Sequence, residues 1–324
     1  MQGLVTVFGG SGFVGRYAVR SLAKAGWRIR VGMRRPHLGP KLRVMGDVGQ
    51  VELVQANVRD ADSIARALDE AEACVNLVGI LSETGRQQFA PLQATAPGVI
   101  ARAAAAAGAT RFAQVSAIGA DASSTSEYAR TKAQGEAAVF AAFPTAAVLR
   151  PSIVFGPEDD FFNRFGYMGS FLPALPLIGG GRTRFQPVYA GDVGAAVAAC
   201  VQEPERGGRV YELGGPAVHT FRELMEMLRR EIQRRPALVP IPFPIARLMG
   251  QAFALPAKVL PIKPPITADQ VELLKTDNVV ASGMPGLADL GVEPTAMDAV
   301  LPTYLWKFRP GGEFAQPEAA NTRT

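Results

Sequence analysis

The chain has few of the residues that build metal centres and disulfide frameworks. Only two cysteines and two histidines occur among its 324 residues. Cys74 and Cys200 lie far apart in apolar segments, and neither has a histidine or a second cysteine at metal-ligand spacing. Each is therefore predicted to be a buried thiol in a reducing compartment. His37 and His219 have no partner pattern and are interpreted as structural or solvent-facing residues.

Long apolar runs and a concentrated charge of one sign are also missing. No segment approaches the ~20 uninterrupted apolar residues of a membrane span, and a strand predicted from Leu4 leaves no signal or transit peptide to be expected. The formal net charge is +5, and the basic residues that produce it are scattered along the sequence. This pattern fits a surface that tolerates phosphates or anionic lipid, and it predicts no nucleic-acid partner.

Glycine is abundant, and its placement near the N-terminus is the strongest signal. The turn Gly9-Gly10-Ser11-Gly12-Phe13-Val14-Gly15 follows an apolar run at 4–8 and opens a helical pattern over 13–25. Strand, glycine turn and helix in this order predict a dinucleotide site, with a pyrophosphate at the helix N-terminus. A side chain at Gly12 is expected to collide with the pyrophosphate and to disfavour a positive φ. The alternative is a glycine-rich turn without a ligand, which the flanking periodicities disfavour.

Strand and helix patterns then alternate along the first half of the chain. Strands are predicted at 28–33, 51–56, 73–78, 111–116 and 146–155, and helices at 61–71, 99–107 and 127–143. The predicted fold class is α/β, with a Rossmann-type doubly wound parallel sheet.

Beyond position 156 the local composition becomes rich in proline, glycine and aromatic residues. Residues 1–157 are predicted to form the nucleotide-binding core, completed by about 187–213. Residues 158–186 and 214–309 are predicted to form a smaller, mostly helical C-terminal domain. Capping boxes at Thr220–Glu223 and Thr267–Gln270 predict two helix starts there. Residues 310–324 are predicted to be a disordered tail.

The end of the second strand indicates which dinucleotide is bound. An NAD site needs an acidic residue about 20 residues beyond the glycines to bind the ribose 2′-hydroxyl. This chain has Arg34 and Arg35 there. A guanidinium pairs with a 2′-phosphate, whereas a carboxylate repels it. The cofactor is therefore predicted to be NADPH, and the alternative is a solvated arginine pair.

Two further strand ends are predicted to line the same groove. Asn57 and Val58 lie where a polar side chain and the next backbone N–H meet the adenine edge. Leu77, Val78 and Gly79 end the fourth strand with a glycine that lets the backbone approach the ribose. Each would be an ordinary strand end if it stood alone.

Tyr128 and Lys132 are candidates for the chemistry. They stand four residues apart on a predicted helix just after the fifth strand, so they share one face. A nearby ammonium is expected to lower the pKa of the phenol and to hold the nicotinamide ribose. Tyr128 would then act as general acid or base in hydride transfer.

Together these motifs resemble the extended and atypical short-chain dehydrogenase/reductases. The resemblance rests on the glycine turn, 57–60, 76–79, the Tyr–Lys pair, 149–157 and 187–193, and it covers roughly residues 4–216. It implies that Ser116, Pro151 and Ile153 also contact the cofactor. Within the superfamily, 155–165 and 211–216 are similar to the nucleotide-binding accessory subunit of respiratory complex I. That subunit is an atypical member that holds NADPH and is not known to turn over a substrate.

One departure from an active reductase supports that placement. An active member usually carries a serine or threonine one residue after Ser116, to polarise the substrate oxygen, and this chain has Ala117. The interval from Ser116 to Tyr128 is also short, which leaves little loop for a substrate wall. Without an oxygen-polarising donor, an order of about 10²-fold or more in rate is lost. The Tyr–Lys pair is then expected only to clasp the ribose.

The resemblance implies a peripheral subunit on the cytoplasmic side of a bacterial inner membrane, next to complex I core subunits near the quinone-binding module. The apolar, basic and proline-broken segment 240–263 is interpreted as a contact with the membrane surface or a protein partner, with core packing as its alternative. Two other functions stay open. They are a free NADP-dependent reductase or epimerase, with a link to quinone metabolism, and an NADPH-sensing regulator.

Overall fold

The computed structural model describes residues 3–259 and 266–314, which form thirteen strands and twelve α-helices. The strands are β1 (Leu4–Phe8), β2 (Arg28–Met33), β3 (Val51–Gln55), β4 (Ala73–Asn76), β5 (Arg111–Val115), β6 (Ala147–Pro151), β7 (Val154–Phe155), β8 (Ala174–Ile178), β9 (Arg184–Phe185), β10 (Val188–Tyr189), β11 (Arg209–Leu213), β12 (His219–Thr220) and β13 (Ala237–Ile241). The helices are α1 (Phe13–Lys24), α2 (Pro40–Arg43), α3 (Ala61–Leu68), α4 (Ala96–Ala106), α5 (Glu127–Ala142), α6 (Phe161–Phe171), α7 (Ala190–Gln202), α8 (Phe221–Glu231), α9 (Phe243–Val259), α10 (Ala268–Leu273), α11 (Met297–Val300) and α12 (Pro302–Leu305).

Seven parallel strands form the central sheet, in the order β11-β6-β5-β4-β1-β2-β3. The order reverses at β1, whose last residue, Phe8, pairs with Gly32 on one side and Asn76 on the other. A parallel sheet that reverses in this way opens a crevice at the carboxyl ends of the strands, where ligands bind in open α/β folds. The predicted Rossmann-type fold is confirmed, and the glycine turn lies at this crevice.

Helices cover both faces of the sheet because alternate strand residues point to opposite sides. Val5, Val7 and Val31 pack against α1 and α7 in one buried cluster. Phe8, Cys74 and Phe112 pack against α3, α4 and α5 in the other. Both cysteines are free and buried, as predicted.

The sixth predicted strand is divided in two. β6 stays in the central sheet, whereas β7 pairs with β10 in a separate two-stranded sheet. Between them, the hydroxyl of Ser152 donates to Asn278 Oδ1 at 2.7 Å and the amide of Ile153 donates to the same oxygen at 3.2 Å. The side chain of Asn278 thus accepts hydrogen bonds from Ser152 and Ile153, the two residues between β6 and β7, where a continuous strand would bond to a neighbouring strand. Nothing local in the sequence indicates this.

A third buried cluster lies in the C-terminal half of the chain. It joins aromatic and aliphatic side chains from α6, α8 and α12, with Phe162, Phe221 and Tyr304 among them. Both predicted capping boxes are present, at Thr220 with Glu223 and at Thr267 with Gln270. Five residues of the predicted tail, 310–314, have a described conformation that includes a short 3-10 turn, and residues 315–324 lie outside the described part. The division into two domains stays a prediction.

Candidate dinucleotide site

The glycine turn is shaped by two positions that admit no side chain. Gly9 has φ +82°, and a Cβ there would lie 2.8 Å from the carbonyl carbon of Leu77 and 2.9 Å from the nitrogen of Val78. A Cβ on Gly15 would lie 2.2 Å from the carbonyl oxygen of Gly9. Gly9 therefore lets the turn touch the end of β4, and Gly15 lets α1 pack directly on the turn.

Gly12 is glycine for a different reason. Its φ is −74°, so the expectation of a positive φ at this position is wrong. A Cβ there would meet only the carbonyl oxygen of Gly9, at 3.2 Å, and would otherwise point into open space. A side chain at position 12 therefore needs a small shift of the Gly9 carbonyl but meets no other obstacle in the described protein, whereas a bound pyrophosphate at this place would exclude it. No side chain caps α1 at Gly12, so the first N–H groups of the helix are available to an anion.

Arg34 and Arg35 follow β2 on the crevice side of the sheet. Pairing of Phe8 with Gly32 puts the end of β2 beside the start of the glycine turn. Both arginines are exposed, and neither is hydrogen-bonded or ion-paired through its side chain within the described ranges. In the next strand, β3, the residue paired with Met33 is Gln55 rather than a carboxylate. This arrangement fits a 2′-phosphate better than a free 2′-hydroxyl.

The two strand ends that were predicted to line the groove, 57–58 and 77–79, are held in place by hydrogen bonds and packing within the protein. Asn57 accepts the backbone N–H of Arg59 at 3.2 Å, which makes a local turn before α3. Val58 is half-buried beside the α3–α5 cluster. At the end of β4, Asn76 accepts the N–H of Val78 at 3.1 Å and donates to Gln114 at 2.9 Å. These bonds set the path of 57–58 and 77–79 before any ligand is bound.

Tyr128 and Lys132 share one face of α5, as predicted. The Lys132 Nζ atom lies 5.9 Å from the centre of the Tyr128 ring and donates to the carbonyl oxygen of Val115 at 3.4 Å. A Cβ on Gly79 would lie 3.2 Å from the same Nζ, so the end of β4 approaches the ammonium group closely. The structure therefore brings the predicted pair next to the predicted ribose-binding backbone.

The acid–base properties of this pair differ from the expectation. Burial raises the pKa of Tyr128 to about 12, and the carboxylate of Asp269 adds to the rise. Burial also lowers the pKa of Lys132 to about 8, against a smaller opposing effect of Glu136. The expectation that Lys132 lowers the pKa of Tyr128 is therefore wrong for the protein alone, because burial and the Asp269 carboxylate both raise that pKa.

Ser116 follows β5 directly, next to Val115, whose carbonyl accepts from Lys132. Its backbone N–H donates to Leu149 at 2.7 Å, but its buried Oγ has no hydrogen-bond partner among the described residues. Buried polar atoms are nearly always paired, so an orphaned hydroxyl at the mouth of a cofactor crevice fits a contact with a bound ligand. Pro151 accepts the N–H of Ile118 at 3.0 Å, and Ile153 accepts the N–H of Val188 at 3.0 Å. These two residues border the same crevice at the end of β6.

Three residues that shape this site were not predicted from the sequence. Gln93 accepts the N–H of Ile80 at 3.3 Å, Asn278 donates to the carbonyl of Ile118 at 3.3 Å, and Asp269 caps the helix that carries Tyr128. Gln93 lies 13 residues from Ile80, whereas Asn278 and Asp269 lie 160 and 142 residues from their partners, and no sequence motif predicts any of these contacts. No group of histidine, cysteine or acidic residues suited to a metal ion occurs within residues 3–259 and 266–314.

The crevice, the glycine turn and the Tyr–Lys pair together are typical of the Rossmann-type folds of NAD(P)-binding protein families. The NAD dependent epimerase/dehydratase family matches residues 5–214, and the chain belongs to that family. Within it, the chain is 38% identical over 320 residues to the NADH dehydrogenase [ubiquinone] 1 alpha subcomplex subunit 9 of Arabidopsis thaliana mitochondria, which covers 96% of this chain and 80% of that protein. The chain is therefore a homologue of this accessory subunit of complex I.

Two other similarities are found, one in sequence and one in fold. The chain is 31% identical over 245 residues to the ceramide reductase of Caulobacter vibrioides, which covers 75% of each protein. The solved structure of the Escherichia coli NADPH-dependent quinone oxidoreductase QOR2 with NADPH superimposes with a TM-score of 0.70. It is 21% identical in sequence, and the alignment covers 93% of this chain and 98% of that one. At that identity the likeness concerns the fold alone.

Proposed function

We propose that this chain is an NADPH-binding accessory subunit of a bacterial respiratory complex I, and that its cofactor is structural. The observation that carries the proposal is the 38% identity to the alpha subcomplex subunit 9 over nearly the whole chain, joined to a crevice whose glycine turn is retained. Association with complex I follows from this homology. The contact with core subunits near the quinone-binding module belongs to the proposal.

The choice of NADPH rests on the end of β2. Arg34 is exposed beside the glycine turn, and the strand next to it offers Gln55 in place of a carboxylate. A guanidinium gains about 1.5–3 kcal/mol from a charge-assisted hydrogen bond to a phosphate. NADH lacks the 2′-phosphate and gains nothing from this contact.

The proposal of a structural cofactor rests on the nicotinamide end. Ala117 lacks the hydroxyl that would polarise a substrate oxygen. The raised pKa of Tyr128, about 12, makes its phenol a weak proton donor near neutral pH. Lys132 and Ser116 are then expected to bind the ribose and the nicotinamide without delivering a substrate proton.

The proposed place of the protein is the cytoplasmic face of the inner membrane. Within the described ranges, no helix is both long enough and apolar enough to cross a bilayer. The described part of segment 240–263 includes α9, on which Ile245 and Leu248 are exposed and Arg247 adds positive charge. These residues suit a peripheral contact with a membrane surface or a protein partner. Residues 260–263 lie outside the described residues.

Native electrophoresis of membranes tests the proposal. The tagged chain is expected to migrate with NADH:quinone oxidoreductase activity, and its deletion is expected to lower the amount of assembled complex. Denatured purified complex is expected to release NADPH in a ratio close to one per copy of this chain. Migration apart from the complex in wild-type membranes would contradict the proposal.

A second candidate function is a free NADPH-dependent reductase. It is favoured by the 31% identity to a ceramide reductase and by the retained Tyr128 and Lys132. Incubation of the purified protein and NADPH with long-chain ketones, aldehydes and quinones distinguishes the two functions. We expect no consumption of NADPH beyond the buffer control, and steady turnover would favour the reductase.

A further inference from the structure

The helix that carries Tyr128 and Lys132 is capped from a distant part of the chain. Asp269, on α10, accepts the backbone N–H of Glu127 at 2.7 Å through Oδ1 and the hydroxyl of Ser126 at 2.8 Å through Oδ2. Ser126 in turn accepts the N–H of Ala129 at 3.3 Å. The Asp269 carboxylate thus bonds to one free N–H group in the first turn of α5 directly, and it orients the buried Ser126 that bonds to another.

Two further contacts hold α10 against this end of the crevice. Thr125 donates to Glu272 at 3.0 Å, and Gln270 donates to the carbonyl oxygen of Leu81 at 3.4 Å. Leu81 lies two residues after Gly79, the predicted ribose-binding backbone. On its other side α10 is backed by α9, where a Cβ on Gly250 would lie 2.6 Å from the nitrogen of Ala268. The placement of Asp269 is therefore fixed by packing on both sides of α10.

The middle of α5 is also held by close packing. A Cβ on Gly135 would lie 2.0 Å from the carbonyl oxygen of Gln93, so α5 rests directly on the turn that precedes α4. The bonds from Asp269 act at the other end of the helix, on the first turn, which carries Tyr128. A carboxylate at a helix N-terminus also interacts favourably with the helix dipole. Its loss frees the turn that bears the phenol.

We propose that Asp269 is a positioning residue for the nicotinamide end of the cofactor site, supplied by the C-terminal part of the chain to hold Tyr128 and Lys132 in place. The inference rests on the proposed function, because it requires NADPH in the crevice. It assigns to α10 a role in cofactor retention that is separate from any contact with the rest of complex I. The glycine turn and Arg34 do not depend on the bonds between Asp269 and the first turn of α5.

The test compares two ligands that share the phosphate end. NADPH reaches Tyr128 and Lys132, whereas 2′,5′-ADP carries the adenosine and the 2′-phosphate without a nicotinamide. Asp269→Ala is expected to weaken NADPH binding about fivefold, as for the loss of a helix cap, and to leave 2′,5′-ADP binding within twofold of wild type. Asp269→Asn keeps the shape and one acceptor oxygen, so a smaller loss for NADPH alone is expected. The fluorescence of bound NADPH, which reports the surroundings of the nicotinamide, is expected to change only in the Asp269 variants.

Glu272→Gln is the matched control, since it removes a carboxylate charge from the same helix, makes no bond to α5, and keeps an amide oxygen that can accept from Thr125 and preserve the contact that holds α10. Both ligands are expected to bind it as they bind wild type. Equal weakening of both ligands by Asp269→Asn, or no change in either, would overturn the inference. If Asp269→Ala does not fold, Asp269→Asn alone decides between these outcomes. Failure of both ligands to bind the wild-type protein would instead overturn the proposed NADPH function, and the inference with it.

Discussion

The two ends of the proposed cofactor groove are built in different ways. The phosphate end consists of the glycine turn and the end of β2, all within the first 35 residues, and it presents mostly backbone. The nicotinamide end combines Ser116, Tyr128 and Lys132 with Asp269, which lies 142 residues along the chain from Glu127, its partner on α5, and it buries the charged side chain of Lys132. The first end therefore depends on local conformation, and the second depends on how the whole molecule packs. Four substitutions, two at each end, test whether the ends respond differently in ligand binding and stability.

The largest effect is expected at Gly12. Gly12→Val should abolish detectable NADPH binding, because the side chain would fill the open space where the pyrophosphate is proposed. Unliganded stability should fall much less than NADPH binding, since φ −74° suits any residue and the tight contact of the Cβ with the Gly9 oxygen, at 3.2 Å, needs only a small shift. Calorimetric titration and thermal unfolding of the unliganded protein measure the two quantities. Gly15→Ala is the contrasting control, because its Cβ would overlap the oxygen of Gly9 and should lower Tm. A Gly12→Val protein that retains NADPH would contradict the assignment.

Arg34 should have the next largest effect. Arg34→Asp is expected to weaken NADPH binding by roughly 10- to 150-fold and to leave NADH binding unchanged or stronger, since a favourable contact of about 1.5–3 kcal/mol becomes a repulsion. Parallel fluorescence titrations with both nucleotides measure this. Arg66→Asp makes the same charge change at an exposed position of α3 and should alter neither affinity. Equal affinities of the unmodified protein for NADPH and NADH would disprove the preference.

At the other end of the groove, buried Lys132 should make stability depend on pH. Its pKa is lowered by burial to about 8 from 10.5. Between these values the unfolded chain binds the additional proton, so the free energy of unfolding of the unliganded protein should rise with pH. From pH 8 to 10 we expect a rise of roughly 2 kcal/mol relative to Lys132→Met. Urea unfolding at three pH values measures it. Parallel pH profiles for the two proteins would show that Lys132 is not desolvated.

Tyr128→Phe should have the smallest effect. If the cofactor is structural, loss of the hydroxyl should leave assembly of complex I unchanged and NADPH retention within about twofold, a change below ~0.5 kcal/mol. Lys132→Ala is the comparison and should weaken NADPH retention, because it removes a donor to the ribose. A reductase would instead lose about 10²–10⁴-fold in turnover on Tyr128→Phe. Turnover that disappears in this variant would reverse the proposed function.

The difference between the two ends also explains which predictions succeeded. The sheet, the glycine turn and the starts of α8 and α10 were predicted because hydrophobic period, glycine spacing and capping residues act over a few neighbouring positions. The break between β6 and β7 was not predicted, because it depends on Asn278. The pKa of Tyr128 was expected to fall and is raised instead, because burial and the charge of Asp269 come from segments that no local pattern connects to it.

By itself, the sequence determined the parallel α/β fold, the turn at Gly9 to Gly15 and the arginines after β2, since each is encoded in one continuous stretch with its own hydrogen-bonding and steric rules. Only the tertiary structure decided that Gly12 is free of backbone strain, that Ser116 Oγ is buried without a partner among the described residues, and that Asp269 caps α5. Burial and long-range hydrogen bonds arise when distant segments meet, so the electrostatic character of the nicotinamide end depends on the packed molecule.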